Sequence, residues 1–404
     1  MTLGTGNLPT VRERAATGGP RGRSGSQPCL TLGAVFDRVA RPRPAASSAR
    51  RAVASAALTR SDPHAVERRD RRAGRRGVQS PPAMIVNRDG EPVPAALRGA
   101  VAAIGNFDGL HRGHLALVAA VREMAADRGG PSAVLTFEPH PRDFFAPDRP
   151  VFRLTGEGAK LAILARLGLD GVFLRRFDSA LAGTSAAGFV TGLLKRDLGL
   201  AGVVIGHDFH FGRGREGTPG LLRALCAENG LACRVIDPVA AGGGEAPVSS
   251  SAIRAALAAG DIALANHLLG FRWFVEGEVR HGDKRGRVLG FPTANLALPA
   301  CGLAHGIYAV RARLPDGTMR DGAASYGRRP TFDNGAPLLE TTLFDFSGDL
   351  YGRRLAVEFV AYLRGEARFD SAEALVAQMH RDAAEARLVL ARDTCPSMLG
   401  PIRG

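Results

Sequence analysis

The sequence predicts an α/β domain with a parallel sheet, followed by a small antiparallel β-barrel and a C-terminal helix. Between Gly99 and Gly270, short apolar runs alternate with amphipathic helical segments, which is typical of a parallel sheet. After Gly270, apolar runs follow one another with turns but without helices between them, as in an antiparallel barrel. The length of 404 residues leaves room for two or three domains.

The spacing of apolar residues predicts the individual strands and helices of both domains. In the first domain, strands are predicted at residues 101–104, 133–137, 172–174, 203–205 and 233–236. Helices are predicted between them at 115–126, 159–167, 186–198 and 221–229, with a closing pair within 251–269. In the second domain, strands are predicted at 273–279, 307–314, 339–346 and 355–363. A helix at 371–391 begins with a sequence that resembles a capping box, Asp370–Glu373.

Most of the formal charge of +14 lies in residues 1–83. This extension holds 16 arginines, no lysine and five acidic residues, and its apolar residues show no sustained period. We expect it to be disordered, because it cannot bury enough apolar surface to offset the entropy of ordering. The other 321 residues carry only +3, so no pervasive basic surface for nucleic acid is expected.

Three interpretations of the extension remain open. Met84 opens directly into the first ordered-looking segment, so it is a candidate for the true initiator, which is the interpretation that we favour. The composition also suits an organelle transit peptide or a nucleic-acid-binding tail.

Composition also bears on the compartment of the protein. The cysteines are scattered without a C-x-x-C motif, so neither a disulfide framework nor a zinc site is indicated. They are Cys29, Cys226, Cys233, Cys301 and Cys395. No run approaches the roughly 18 apolar residues of a membrane span, and the first thirty residues lack the apolar core of a signal peptide. We expect a soluble, cytoplasmic protein.

A glycine-rich turn, Gly105–His114 (GNFDGLHRGH), connects the first predicted strand to the first predicted helix. A helix N-terminus directs backbone N–H groups and a positive dipole end at one point, which suits phosphate. His111 and His114 add donors, and nucleotidyl transfer needs mainly positioning and charge stabilisation. A single histidine is usually an ordinary surface or capping residue, but this pair in this place indicates a nucleotide site.

The turn resembles the nucleotidyltransferase superfamily, and its longer form resembles the bacterial bifunctional riboflavin kinase/FAD synthetase family. Three further motifs agree: Thr136–Pro141 (TFEPHP), Gly206–Gly214 (GHDFHFGRG) and Val248–Arg254 (VSSSAIR). The resemblance implies a Rossmann-like domain that transfers the adenylyl group of ATP to FMN. The last motif opens a helix and adds a guanidinium group, a suitable partner for polyphosphate.

The resemblance also assigns residues to this first site. By resemblance, the ATP-binding residues are Gly105, Asn106, Phe107, Asp108, Gly109, His111, His114, Ser249, Ser250, Ser251 and Arg254. The catalytic pair on the side of the α-phosphate is His111 and His114. The flavin-binding residues are Pro139, His140, Pro141, Asp208 and Phe209. Two positions depart from the family, which usually has Thr at Ser251 and Glu at His207. Asp208 and Phe209 also fit a turn and a core aromatic.

A second motif, Gly282–Leu296 (GDKRGRVLGFPTANL), combines a basic glycine-rich loop with two oxygen ligands. Thr293 and Asn295 are two residues apart, so their oxygens point to the same side of an extended segment. Mg²⁺ bound to ATP typically takes one or two protein oxygens. The motif resembles the signature of riboflavin kinases and assigns an ATP site with Mg²⁺ on Thr293 and Asn295. By this resemblance, the predicted ATP-binding residues are Gly282, Lys284, Gly286, Arg287, Gly290, Pro292, Thr293 and Asn295.

Two further segments, Tyr326–Phe332 (YGRRPTF) and Asp349–Gly352 (DLYG), also resemble riboflavin kinases. Phosphoryl transfer to an alcohol needs a base, and the resemblance assigns this role to Glu340. The family often has His where this chain has Thr342. Flavin contacts are assigned to Arg329 and Arg364 by the same resemblance.

Together these motifs predict three regions: an extension at 1–83, an FMN adenylyltransferase domain at 84–270 and a riboflavin kinase domain at 271–398. The predicted substrates are ATP, riboflavin and FMN, with Mg²⁺ as the metal and flavins as substrates and products. No nucleic acid or membrane partner is expected, and the oligomeric state is open. The alternatives are an adenylyltransferase for another phosphorylated small molecule with an inactive kinase domain, and a nucleic-acid-binding protein that uses its Arg-rich extension.

Overall fold

The computed structural model describes residues 83–240, 247–281, 291–298, 301–328 and 337–400. Several predicted features lie outside these residues. They are the extension before residue 83 and the site residues Gly282, Lys284, Gly286, Arg287, Gly290 and Arg329.

The first part of the described chain forms a six-stranded parallel sheet with strand order β1-β4-β3-β2-β5-β6. The strands are β1 Ile85–Arg88, β2 Val101–Ile104, β3 Ser132–Glu138, β4 Gly171–Arg176, β5 Gly202–Gly206 and β6 Ala232–Ile236. The sequence predicted five of them and missed β1, which has only four residues and lies at the edge of the sheet. The strand before the histidine pair is therefore the second in the chain, not the first.

Helices connect these strands, and two further helices follow β6. The longer ones are α1 Arg112–Asp127, α3 Glu157–Arg166, α6 Pro219–Glu228, α7 Ser250–Ala258 and α8 Ile262–Leu269. The short ones are α2 Pro141–Phe145, α4 Ser179–Ala182 and α5 Ala186–Gly188. The α5 turn continues as a π-helix, Phe189–Asp197, where an ordinary helix was predicted. Two single 3₁₀ turns lie at Ala95–Leu97 and Arg213–Arg215.

The strand order creates one crevice at the carboxyl ends of β2 and β5. From β2 the sheet continues through β3 and β4 on one side and through β5 and β6 on the other. Ligands of open parallel sheets bind at such a reversal point. The turn Gly105–His114 follows β2 and the motif Gly206–Gly214 follows β5, so the sheet places these two motifs at the same crevice.

The second part of the described chain forms a closed barrel with strand order β10-β11-β8-β7-β12-β9, which confirms the predicted fold class. The strands are β7 Phe274–Arg280, β8 Thr293–Ala297, β9 Gly306–Arg313, β10 Met319–Arg328, β11 Pro337–Leu343 and β12 Arg354–Arg364. All pairs are antiparallel, and pairing of β9 with β10 closes the ring. The helix α9 Ala372–Arg392 follows, and the Ser371 hydroxyl caps it by accepting from the Ala374 N–H at 3.1 Å.

One apolar core joins the α/β part to the barrel. The cluster of buried side chains on one face of the sheet runs from Val101 and Leu269 to Trp273 and Phe359 of the barrel part. The Trp273 indole Nε1 donates to the Leu154 carbonyl at 2.9 Å. A separate core fills the other face of the sheet.

Candidate active sites

The histidine pair lies at the first turn of α1. His111 is the N-cap residue, and its Nδ1 accepts from the His114 backbone N–H at 3.4 Å. The two imidazole rings stack with centroids 3.8 Å apart, and the Phe107 ring lies 5.0 Å from His114. Gly113 permits this stack, because a Cβ there would lie 3.1 Å from His111 Cε1. The H-x-G-H spacing therefore builds a rigid pair of rings.

Burial makes both histidines poor bases. It lowers the pKa of His111 to about 4, against an opposing effect of Asp208. Burial also lowers the pKa of His114 well below its ordinary value, assisted by the neighbouring His111 and Lys160. Both rings are therefore neutral near pH 7, and each keeps one N–H to donate. Within the described residues, the buried His114 Nδ1 has no hydrogen-bond partner.

Asp108 joins motifs that lie far apart in the sequence. Its carboxylate accepts from the Thr155 N–H at 3.0 Å and pairs with the Arg254 guanidinium. Its backbone carbonyl accepts from the Ser250 hydroxyl at 2.8 Å. Asp108 itself is buried. The glycine-rich turn after β2 and the VSSSAIR motif of α7 therefore form one cluster.

The start of α7 contributes three serines to this cluster. The Ser249 hydroxyl accepts from the Ala252 N–H at 3.2 Å and caps the helix. Ser250 is half-buried, and Ser251 is exposed in the first turn. The Arg254 Nε donates to the Phe152 carbonyl at 2.7 Å, which holds the guanidinium beside Asp108. A helix N-terminus, hydroxyls and a guanidinium thus converge, a combination suited to phosphates.

The TFEPHP motif follows β3 and leads into α2. His140 caps α2, since its Nδ1 accepts from the Arg142 N–H at 3.1 Å. Burial lowers the pKa of His140, followed by the positive charge of Arg153, and Asp108 opposes this shift. His140 therefore lies within electrostatic reach of the Asp108 cluster. Pro139 is exposed and follows a cis peptide bond.

A charge network behind the site was missed by the sequence analysis. Glu138 accepts from Lys160 Nζ and from Arg153 Nη2, both at 2.8 Å, and Arg153 Nε pairs with Asp143 at 3.2 Å. Lys160 is 0% exposed. Burial raises the pKa of Glu138, but the two cations outweigh it and leave the pKa lowered. One signal was available, since Lys160 shares the apolar face of α3 with Ile163.

The residues of the motif Gly206–Gly214, which follows β5, differ from one another in exposure. His207 and Asp208 are exposed, and Asp208 acts on the pKa of His111 across the crevice. Phe209 is half-buried, stacks on Phe211 at 5.6 Å and packs against the second core. The assignment of Phe209 to the flavin stays a prediction, because its ring also has a packing role.

In the barrel, the pairing of β8 with β11 collects the predicted kinase residues. Asn295 lies directly opposite Glu340, and Thr293 lies opposite Thr342. Because side chains alternate along a strand, these four side chains lie on one face of the strand pair. Asn295 is buried, and in the part of the chain that the structure describes its Oδ1 has no hydrogen-bond partner.

A cavity of about 250 Å³ opens beside these strands. Its walls come from the start of β8, from β11 and from the loop that contains the DLYG motif. The lining residues are Val279, Pro292, Thr293, Ala294, Thr341, Leu343, Phe346, Ser347, Gly348, Asp349, Leu350 and Tyr351. Pro292 and Thr293 of the predicted ATP site therefore border the cavity.

Arg364, which was predicted to contact the flavin, pairs with a residue of α9. Its Nε and Nη2 donate to the two carboxylate oxygens of Asp382 at 2.8 and 2.7 Å. Gln378 Nε2 donates to the same carboxylate at 2.8 Å. The guanidinium thus fastens α9 to the end of β12, and its contact with the flavin stays a prediction.

Comparisons with known proteins identify two families in the order that the motifs predict. A family model described as FAD synthetase matches residues 93–252, and one described as riboflavin kinase matches residues 269–390. The chain is 43% identical over 296 residues to the bifunctional riboflavin kinase/FMN adenylyltransferase of Pseudomonas fluorescens, covering 73% of this chain and 94% of that protein. It is 40% identical over 294 residues to the protein of the same name from Escherichia coli (strain K12), covering 72% and 93%.

A solved structure shares the arrangement. A crystal structure titled as a macrolide-efflux protein from Streptococcus pneumoniae superposes with a TM-score of 0.67 at 28% identity, covering 75% of this chain and 99% of that one. Among the helices described for the present chain, none combines the length and the apolar character needed to cross a membrane. The family matches and the near-complete coverage of both relatives establish that the chain belongs to the bifunctional riboflavin kinase/FMN adenylyltransferase family, which converts riboflavin to FMN and FMN to FAD.

Proposed function

We propose that FMN is adenylylated in the crevice at β2 and β5. An oxygen of the FMN phosphate attacks the α-phosphorus of ATP, the bond between the α-phosphorus and the bridging oxygen breaks, and pyrophosphate leaves. His111, His114, Ser249, Ser250 and Arg254 bind the triphosphate. The convergence of two distant motifs on Asp108 supports this assignment.

In this site, the neutral imidazoles act as hydrogen-bond donors and Arg254 supplies the positive charge. Neutral rings suit this role, because a phosphate oxygen accepts from an N–H without a proton being transferred. The N-termini of α1 and α7 add their dipoles. Preorganised donors of this kind stabilise the charge that develops in phosphoryl-type transition states.

We propose that riboflavin is phosphorylated on the face of the β8–β11 pair that carries Thr293, Asn295 and Glu340. Glu340 accepts the proton of the riboflavin 5′-hydroxyl, the oxygen bonds to the γ-phosphorus of ATP, and ADP leaves. The position of Glu340 opposite Asn295 supports this role, because it sets the base beside the residues proposed for the phosphates.

Thr293 and Asn295 would hold Mg²⁺ at this site. The residues fit the ion, since the buried Asn295 Oδ1 has no partner among the described residues and Mg²⁺ binds oxygen. When bound, the ion offsets the negative charge of the ATP phosphates.

We also propose that the adenylyltransferase domain spans 84–270 and the kinase domain 271–398. Gly270 supports this boundary, because it ends α8 in the left-handed conformation at φ 85°. A cytoplasmic location is consistent with cysteines that are scattered and lack a C-x-x-C motif.

The two sites are tested by separating the reactions. We expect His111→Asn to abolish FAD formation from FMN and to leave FMN formation from riboflavin intact. Glu340→Gln is expected to have the opposite effect. The measurement is a time course of FMN and FAD by chromatography, with each flavin supplied separately together with ATP and Mg²⁺.

Matched controls use the same substitutions at positions outside both sites, His305→Asn and Glu123→Gln. Both controls are expected to keep both activities. Loss of both reactions in a folded His111→Asn or Glu340→Gln protein would contradict the assignment of two separate sites.

A further inference from the structure

A four-residue stretch, Phe152–Thr155, lies between α2 and α3 and contacts the proposed adenylyl site. We call it the bridging segment. The Thr155 N–H donates to the Asp108 carboxylate at 3.0 Å, and the Thr155 hydroxyl accepts from the Gly109 N–H at 3.0 Å. The Phe152 carbonyl accepts from Arg254 Nε at 2.7 Å. The segment therefore fixes both partners of the Asp108–Arg254 pair.

The glycine-rich turn also packs closely on this segment. Gly109 has φ 89°, and a Cβ there would lie 2.8 Å from Leu154 Cδ1. Leu154 is buried. A shift of the segment would therefore move the turn, since there is no free space between them.

The opposite side of the bridging segment contacts the part of the chain that forms the barrel. Trp273 Nε1 donates to the Leu154 carbonyl at 2.9 Å, and the Trp273 ring lies edge-on to Phe152 at 6.0 Å. A Cβ on Gly302 would lie 3.1 Å from the Phe152 ring. Two points of the kinase domain thus contact the segment that holds Asp108 and Arg254.

Trp273 is itself fixed. It is 1% exposed, and its backbone N–H donates to Asn266 Oδ1 at 2.8 Å. Its ring lies 5.0 Å from Phe359 of β12. A rigid, buried indole is a suitable anchor, because it has little freedom to follow a displaced carbonyl.

We propose that Trp273, a residue of the kinase domain, is a positioning residue for adenylyl transfer in the other domain. Its indole holds the bridging segment, and the segment holds Arg254 and Asp108 in place for the ATP phosphates. This inference rests on the proposed assignment of ATP to the β2–β5 crevice. Small misplacements of a phosphate-binding group are costly in rate, so the loss of one anchor is measurable.

The kinase reaction provides an internal control. The proposed kinase residues lie on β8 and β11, whereas Trp273 precedes β7 and packs on β12. A substitution of Trp273 that acted only through general destabilisation would lower both reactions. A positioning role predicts an effect on FAD formation alone.

The test is Trp273→Phe, which keeps an aromatic ring and removes the indole N–H. We expect kcat/KM for ATP in FAD formation to fall about fivefold, equivalent to about 1 kcal/mol, the usual net value of one buried hydrogen bond. The KM for ATP is expected to carry most of the change, and FMN formation from riboflavin is expected to stay at the wild-type rate.

A matched control is Tyr308→Phe, which also removes one buried donor to a backbone carbonyl, that of Ala304, and also borders Phe359. It is expected to leave the ratio of FAD formation to FMN formation unchanged. An equal fall of both reactions in Trp273→Phe, or no fall in either, would overturn the proposal.

If Trp273→Phe does not fold, Gly302→Ala tests the same coupling from a second point, since the new methyl group presses on Phe152. The same selective fall in FAD formation is expected, and its absence in folded protein counts against the coupling. Failure of the ATP-site assignment can be distinguished from failure of the proposed role of Trp273. If the site assignment is wrong, Arg254→Lys leaves FAD formation intact, regardless of the result for Trp273→Phe.

Discussion

Two buried imidazoles in contact make the first turn of α1 sensitive to acid. The folded-state pKa of His111 is lowered to about 4 and that of His114 is lowered well below its ordinary value, in both cases chiefly by burial. In the unfolded chain both histidines have a pKa of about 6.5. Below that pH the unfolded chain binds more protons than the folded protein, so stability is present above about pH 6.5 and is lost as the pH falls toward 4.

We expect His114→Gln to reduce this acid sensitivity. One such histidine changes the unfolding free energy by up to about 1.4 kcal/mol per pH unit. The measurement is the urea midpoint between pH 7 and pH 5 for wild type and variant, compared by slope rather than by absolute value. If the urea midpoints of wild type and variant change with pH at the same slope, the His114 ring is not the source of the acid sensitivity.

Lys160 forms an ion pair with Glu138. It is fully buried and bonds Glu138 at 2.8 Å, while Arg153 contacts the other carboxylate oxygen. We expect Lys160→Met to destabilise the fold by about 2–3 kcal/mol, because it leaves a partly buried carboxylate with one cation. The double variant Lys160→Met/Glu138→Gln should recover part of this loss. A double-mutant cycle by urea unfolding measures it, and strictly additive losses would contradict direct coupling.

At the scale of elements, the N-terminus of α7 is capped by Ser249 and is proposed to bind the ATP phosphates. Substitutions of Ser249 can separate these two roles. The Ser249 hydroxyl caps the helix through the Ala252 N–H. We expect Ser249→Ala to cost about 1 kcal/mol of stability, whereas Ser249→Asp keeps the cap. The added carboxylate should still slow FAD formation, because it repels the triphosphate. Unfolding midpoints measure the effect on stability, and rates of FAD formation measure the effect on catalysis. A Ser249→Asp variant that forms FAD at the wild-type rate would show that the phosphates bind elsewhere.

The same scale shows what the sequence could predict. β2, the turn after it and α1 were found because their signals are local: an apolar run, glycines and a helical period. β1, β8 and β10 were missed as strands. β1 and β8 have four and five residues, which carry little periodicity, and their pairing is decided by distant partners. β10 has ten residues, but its sequence MRDGAASYGR contains no apolar run. Asp108 and Arg254 were each predicted to bind ATP, but the contact between them was not predicted. The two residues are 146 positions apart and meet only in the folded sheet.

Charges were the least predictable part of the site. Lys160 and Arg153 were not proposed as site residues, because an isolated cation is usually solvent-exposed. Only the tertiary structure shows that both surround Glu138. Conversely, Arg364 was assigned to the flavin by resemblance, and its bidentate pair with Asp382 on α9 could not be read from spacing alone.

At the scale of the whole molecule, the shared core predicts one cooperative unit. Buried side chains run without interruption from the sheet through Trp273 into the barrel. We expect calorimetry of the intact protein to give a single unfolding transition, and both reactions to be lost at the same temperature. Two resolved transitions, or FMN formation that survives the loss of FAD formation on heating, would show that the shared core does not couple the domains.

Closure of the barrel has a consequence for the design of inhibitors. Its six strands form a ring in which each strand has two neighbours, whereas the outermost strands of the parallel sheet are β1 and β6. Peptides that bind by adding a strand need an unpaired edge. Among the described strands, such a peptide would be directed to the α/β domain, so a compound against the kinase domain is better shaped to fill the cavity beside Thr293.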